Sequence, residues 1–213
     1  MTDKGLFIDR VTITLDGREI VSLSRRVAPG VVLTVMGPSG VGKSTLLAYI
    51  GGFLDPAFTA SGRAFVDGVE VTALKPEDRH MGILFQDALL FPHMSVGGNL
   101  LFALPAGSGD RQERLRRMRQ ALAGVGLAGL EDRDPATLSG GQKARVALAR
   151  VLAAAPRALL LDEPFSKLDA ALREQMRELV FSKARETGLP VLLVTHDEAD
   201  AEAAGGDIVK LGE

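Results

Sequence analysis

The sequence predicts an α/β domain: a mainly parallel sheet core, an N-terminal antiparallel β lobe and an inserted α-helical lobe. Three observations carry this. Short apolar, β-rich runs at 31–36, 81–85, 158–161 and 191–195 alternate with helical patterns. The patch 7–15 alternates more strictly, as a strand of a separate antiparallel sheet does. Between residues 97 and 156 the strand signal stops and helical spacing takes over.

Residues 63–71 read as a hairpin, with Asp67-Gly68 supplying the tight turn. Asp110 with Glu113 caps a helix starting near Arg111, and Leu115, Met118, Leu122 and Val125 keep helical spacing along it. Five arginines on this segment (111, 114, 116, 117 and 119) read as its solvated face. A second helix follows Ser139 and ends by Pro156. A third runs from about Ala170, with Leu172, Met176, Leu179 and Val180 on one face and Gly188 closing it. The whole chain, 1–213, reads as one domain, in which 1–86 and 156–213 form the β lobe and core and about 87–155 the helical lobe.

Composition narrows the functional classes. The 213 residues are 46% hydrophobic and 24% charged, enough for a sizeable core. A formal net charge of -2 gives no bulk attraction for nucleic acid or an anionic membrane, and no nucleic-acid partner is expected. With no cysteine, disulfides, thiolate metal sites and cysteine nucleophiles are excluded, which fits a reducing cytosol. The first residues lack the basic and apolar segments of a secretory signal. The apolar runs fall far short of the roughly 20 residues that cross a bilayer, so any membrane crossing is expected from other chains.

Gly37-Pro38-Ser39-Gly40-Val41-Gly42-Lys43-Ser44-Thr45 has the spacing of a phosphate-binding loop, with a strand before it and a helical stretch after it. Its glycines let successive N–H groups point inward, forming an anion nest at a helix N-terminus. Lys43 is expected to reach the β- and γ-phosphates of a nucleoside triphosphate, and the Ser44 hydroxyl to ligate Mg²⁺. Downstream, the run 158–161 ends in Asp162-Glu163-Pro164. Strand carboxyl ends of a parallel sheet lie beside such a loop. Asp162 is therefore expected to hold the Mg²⁺ shell, and Glu163 to polarise an attacking water. Lys167-x-Asp169 has the form of a guanine-reading signature but lies too close to the acidic pair for that use, so ATP is the expected nucleotide.

Leu138-Ser139-Gly140-Gly141-Gln142 lies between these motifs. Ser139 can cap the following helix, and two glycines leave bare N–H groups at its positive end, a second anion site. In this order and spacing the chain resembles the ABC (ATP-binding cassette) ATPases, P-loop NTPases whose signature is LSGGQ, over essentially its whole length. The resemblance implies further roles. Gln86 matches the family's Q-loop, contacting Mg²⁺ or the water and reporting to the membrane partner. Ser166, Leu168 and Asp169 match the D-loop, with Asp169 bridging two subunits. His196 matches the switch histidine that holds the γ-phosphate, whereas His80 and His93 are outside family register. Residues 91–95 correspond to a groove that receives a helix of the membrane subunit. Leu15 stands where the family usually stacks an aromatic residue on adenine, and Lys167 replaces a small D-loop residue, read as neutral.

The implied machine is a head-to-tail dimer of two copies enclosing two ATP molecules. It would work with transmembrane permease subunits and a substrate-binding protein, peripherally on the cytoplasmic face of the inner membrane. The stretches 82–91 and 136–142 look most like bacterial importer subunits of the YnjD-like kind, related to thiamine, iron and molybdate systems. A mechanical ABC ATPase that releases lipoproteins or acts in division is the alternative. A simple P-loop kinase leaves the second anion site and His196 without a task.

Overall fold

The computed structural model describes residues 4–212. Its strands are β1 (Leu6–Leu15), β2 (Arg18–Val27), β3 (Val32–Met36), β4 (Phe58–Val66), β5 (Val69–Glu70), β6 (Met81–Leu84), β7 (Ala158–Asp162), β8 (Val191–Thr195) and β9 (Asp207–Lys210). Its α-helices are α1 (Lys43–Gly51), α2 (Val96–Ala103), α3 (Arg111–Ala123), α4 (Gly140–Ala153), α5 (Ala170–Thr187) and α6 (Glu198–Ala204). The chain divides into two compact units. The first takes residues up to 83, 157–163 and those from 181; the second takes 84–156 and 164–180. The sequence placed the inserted part at about 87–155. The second unit also takes in the D-loop and residues 170–180 of α5.

In the first unit, β1 alternates as expected: Leu6, Ile8, Val11 and Ile13 are fully buried while the residues between them are not. It pairs antiparallel with β2 on one side and β4 on the other, in the order β2-β1-β4-β5. The register slips between Asp9 and Thr12, a bulge facing Gly62. Gly62 has φ +89°, and a Cβ there would meet the Arg10 carbonyl oxygen at 2.3 Å, so only glycine fits. The β4–β5 turn is built on Asp67 and Gly68, both with positive φ, as the Asp-Gly pair predicts.

The second sheet has the order β6-β7-β8-β3-β9, with β3–β8, β3–β9 and β7–β8 parallel. Every residue of β3 and β8 is buried, the signature of strands covered on both faces. The predicted strands are present with most ends within one residue of expectation, but β4 begins at Phe58, five residues before the predicted start of the hairpin at Arg63; β2 and β9 are additional. β2 is an edge strand rich in exposed charge, and β9 is short and mostly exposed, so neither shows a marked apolar pattern.

Arg79 ties the segment before β6 to helix α1. Its side chain is buried (6% exposed), and it makes no ion pair among the described residues. Instead it donates to four backbone carbonyls: Tyr49 and Ile50 in the last turn of α1 (2.7 and 2.8 Å), Thr72 (2.5 Å) and Leu74 (2.9 Å). A helix C-terminus carries partial negative charge, so the guanidinium satisfies carbonyls left over at the helix end and complements its dipole.

In the second unit, Asp110 caps α3 by accepting the Glu113 N–H at 2.8 Å. The Glu113 carboxylate turns to Arg116 and Arg117, and their guanidinia hold its pKa down to about 2. Arg114 departs from the expected solvated face. It donates to the Leu101 and Pro105 carbonyls and the Ser108 hydroxyl, fastening the loop before α3. Replacing Arg79 by leucine takes a donor from four carbonyls, of which Tyr49 keeps the Gly52 N–H, and is expected to lower the unfolding free energy by about 3 kcal/mol. Urea denaturation of the two proteins checks this.

Candidate functional site

β3 ends at Met36, and the chain turns through residues 37–42 into α1. Gly40 and Gly42 have φ +82° and +104°, and a Cβ on Gly42 would meet Ile20 at 2.5 Å. The loop is thus wound by backbone conformations that side chains resist, with β2 packed close against it. Inside it, the Lys43 ammonium is buried and donates to the Gly37 and Pro38 carbonyls at 2.8 and 2.9 Å. Ser44 and Thr45 follow in the first turn of α1, and the Ser44 hydroxyl donates to Asp162 Oδ1 at 2.9 Å.

Asp162 and Glu163, adjacent in sequence, have different partners. Asp162 ends β7 and contacts Ser44. Burial raises its pKa above the usual aspartate range, and the Ser44 hydroxyl offsets part of that. Glu163 continues the ladder by one bond, its N–H donating to the Val194 carbonyl at 2.9 Å. It then adopts φ +45° ahead of Pro164, a left-handed conformation that costs a non-glycine residue about 1–3 kcal/mol. The Glu163 carboxylate lies 3.1 Å from His196 Nδ1 and 3.9 Å from Lys43 Nζ. Lysine, serine, two carboxylates and histidine therefore converge within the first unit, as the sequence placed them. Leu15 lies half-buried at the end of β1, paired with Arg18 and Phe58. The β2 residues beside the phosphate loop are Ile20 and Val21, both against Gly42.

The second unit holds the remaining predicted residues. Ser139 accepts the Gln142 N–H at 3.3 Å, and Gln142 Oε1 accepts the Ser139 N–H at 3.0 Å, a complete capping box. The two glycines have separate duties. A Cβ on Gly141 would strike Leu172 at 2.6 Å, whereas one on Gly140 would meet nothing within 4 Å. Gly141 serves close packing against α5, and Gly140 leaves open space at the helix start. Asp169 caps α5 by accepting the Leu172 N–H at 3.0 Å.

Gln86 is exposed and lines a cavity of about 200 Å³ with Phe85, Gly140, Lys143, Phe165 and Lys167. Lys167, read as neutral, is ion-paired with Asp87 beside Gln86; both side chains are half exposed, so the pair contributes under about 1 kcal/mol. A cavity of about 970 Å³ lies along α3, and in its lining Glu113 pairs with Arg116 and Glu131 with Arg119.

Sequence reasoning missed Asn99, fully buried in α2. Its side chain accepts the Phe91 N–H at 2.8 Å and donates to the Phe91, Met94 and Ser95 carbonyls at 3.2, 3.4 and 3.0 Å. It clamps the segment 91–95, beside which Phe102 is 65% exposed and set edge-on to Phe91. The signal was one polar residue in an otherwise apolar octapeptide, hard to see without knowing the helix boundaries.

The raised pKa of Asp162 carries a sign. As pH rises through the ordinary carboxylate range, the unfolded chain loses its proton first, so stability falls; above the raised value the penalty is complete. Asp162→Asn, which keeps an acceptor for Ser44, is expected to stabilise the nucleotide-free chain at neutral pH and to flatten that pH dependence. Urea denaturation in chelator across pH 3–8 measures both.

The model of the ABC transporter family matches residues 20–166. The chain is 47% identical to the uncharacterized ABC transporter ATP-binding protein YnjD of Escherichia coli, over 93% of this chain and 91% of that one. It is 41% identical to the Fe(3+) ions import ATP-binding protein FbpC 1 of Haemophilus influenzae, over 92% of this chain but 60% of that longer one. A dimeric, post-hydrolysis structure of the ATP-binding cassette MJ0796 with ADP and Pi superposes with a TM-score of 0.79 at 30% identity, covering 97% of this chain and 94% of that one. The chain belongs to the ABC transporter family, as an ATP-binding subunit that hydrolyses ATP.

Proposed function

We propose that this chain energises uptake of a small solute by closing and opening as a head-to-tail dimer around two ATP molecules. The observation that carries the reading is a glycine-bordered helix start in each unit: Lys43–Ser44 on α1 and Ser139–Gly140 on α4. In the proposed dimer each ATP lies between the phosphate loop of one copy and the Ser139-Gly140-Gly141 turn of the other, with Gln142 bracing that turn. The open space at Gly140 suits such an approach. Asp169 would bridge the copies.

The chemistry follows from the side chains. Backbone N–H groups of residues 37–45 and the Lys43 ammonium would hold the phosphates. Glu163 would take a proton from a water placed in line with the γ-phosphorus as that water attacks and ADP leaves. His196 would donate to the γ-phosphate. Its 3.1 Å contact with Glu163 supports a shared position for these two groups. Mg²⁺ would be held by Ser44 and Asp162. A hydroxyl and a carboxylate, both hard oxygen donors, suit a hard cation that binds mainly through phosphate and water. When bound, the ion neutralises charge developing between the β- and γ-phosphates.

No helix among the described residues is long and apolar enough to cross a membrane. The proposed site of action is the cytoplasmic face of the inner membrane, docked on permease subunits through the face formed by 91–95 and Phe102. A substrate-binding protein would deliver the solute. The iron-import relative supports uptake over a mechanical role. In the full chain, Glu163→Gln is expected to bind ATP, lose at least about 100-fold in turnover and accumulate as an ATP-dependent dimer in light scattering. Ser139→Arg in the same background is expected to abolish that dimer. A monomer at saturating Mg-ATP would overturn the two-surface arrangement.

A further inference from the structure

His196 is exposed, its side chain 55% accessible, so little packing holds the imidazole beside Glu163. Its backbone is held from both sides. The hydroxyl of Thr195, the residue before it, donates to Asp200 Oδ2 at 3.0 Å. Thr195 Oγ1 also accepts the N–H of Asp197, the residue after the histidine, at 3.1 Å. Asp197 Oδ1 in turn accepts the N–H groups of Ala199 and Asp200 at 2.8 and 3.3 Å. Residues 195–200 thus close a small ring of hydrogen bonds around the histidine.

Thr195 and Asp200 are 1% and 3% exposed. A buried carboxylate is costly unless its partners repay the lost hydration. Capping does not account for it, because Asp197 already supplies the acceptor for the first turn of α6. Strand packing does not call for a hydroxyl at 195 either, since the four preceding β8 residues are Val, Leu, Leu and Val. What the pair does achieve is to fix the peptide that leaves His196, whose N–H, on Asp197, the Thr195 hydroxyl accepts.

We propose that Thr195 and Asp200 are positioning residues for ATP hydrolysis, acting through His196 by locking the backbone that aims it at Glu163 and the γ-phosphate. The inference rests on the reading of His196 given above. An error of about 1 Å in such a group can cost up to about 100-fold in rate, so two buried polar side chains devoted to one backbone turn have a kinetic rationale.

The test is a mutant cycle on the full chain, with steady-state and single-turnover hydrolysis of Mg-ATP. Thr195→Val, which removes the hydroxyl at nearly constant volume, is expected to lower kcat about tenfold or more while KM for ATP stays within about twofold. Thr195→Ser is expected to recover most of the loss. In a His196→Ala background, Thr195→Val is expected to add less than about a twofold further loss, the mark of two residues acting as one unit. Amide hydrogen exchange at Asp197 is expected to quicken in Thr195→Val. If that variant does not fold, Asp200→Ala against Asp200→Asn, which keeps an acceptor, makes the same comparison. Unchanged kcat in folded Thr195→Val overturns the proposal. So does a full tenfold loss in the His196→Ala background, which would place the effect in the fold. Unchanged turnover in His196→Ala alone is a separate result: it overturns the role of His196, and this inference with it.

Discussion

The hydrogen bond from the Glu163 N–H to the Val194 carbonyl is the contact on which the arrangement of reactive groups depends. It is the last rung of the β7–β8 ladder, and it fixes Glu163 in step with the end of β8. On the other side of β8, Met36 of β3 pairs with Thr195. Three neighbouring strands therefore finish at one level. The phosphate loop leaves the first, the acidic pair the second and the histidine the third. Parallel pairing produces this convergence because every strand presents the same end to the same edge. A one-residue slip of β7 would reverse the faces of Asp162 and Glu163 and separate both from their partners.

The order is maintained against local costs. Glu163 sits in a left-handed backbone conformation, Asp162 carries a burial penalty, and Lys43 is an ammonium taken out of water among carbonyls. The apolar strands β3 and β8, and the packing of Leu46, Leu47 and Ile50 of α1 with them in one core, supply the rigidity that keeps these groups in place. Arg79 adds a second anchor at the far end of α1, so the helix bearing Lys43 and Ser44 is fastened at both ends.

The sequence made the first unit's site legible because its residues sit at strand ends and at one glycine-wound turn, where spacing alone dictates proximity. Lys43, Ser44, Asp162 and Glu163 were identified in this way, whereas His196 came from the resemblance to the ABC ATPases. It was less informative where a feature depends on pairing between distant elements. The edge strand β2 is studded with exposed charge and shows no clear period. The ion pair Lys167–Asp87 joins residues 80 positions apart, and the separate duties of Gly140 and Gly141 emerge only once Leu172 is seen against one of them. Thr195 and Asp200 were hidden for a different reason: their contact is local, but a Thr and an Asp near a strand end look like ordinary capping residues. The boundary of the helical unit was displaced in the same way, because α5 reads as one uninterrupted helix while its contacts divide at residue 180.

The clamp formed by Asn99 bears on the speed of association. A recognition segment that is a fluctuating coil must search its own conformations whenever it meets a partner, and the freedom lost then is subtracted from the binding energy. Here the segment 91–95 has already given up that freedom to a side chain in its own unit. In the docking proposed above, the ordering of 91–95 would therefore subtract little from the binding energy.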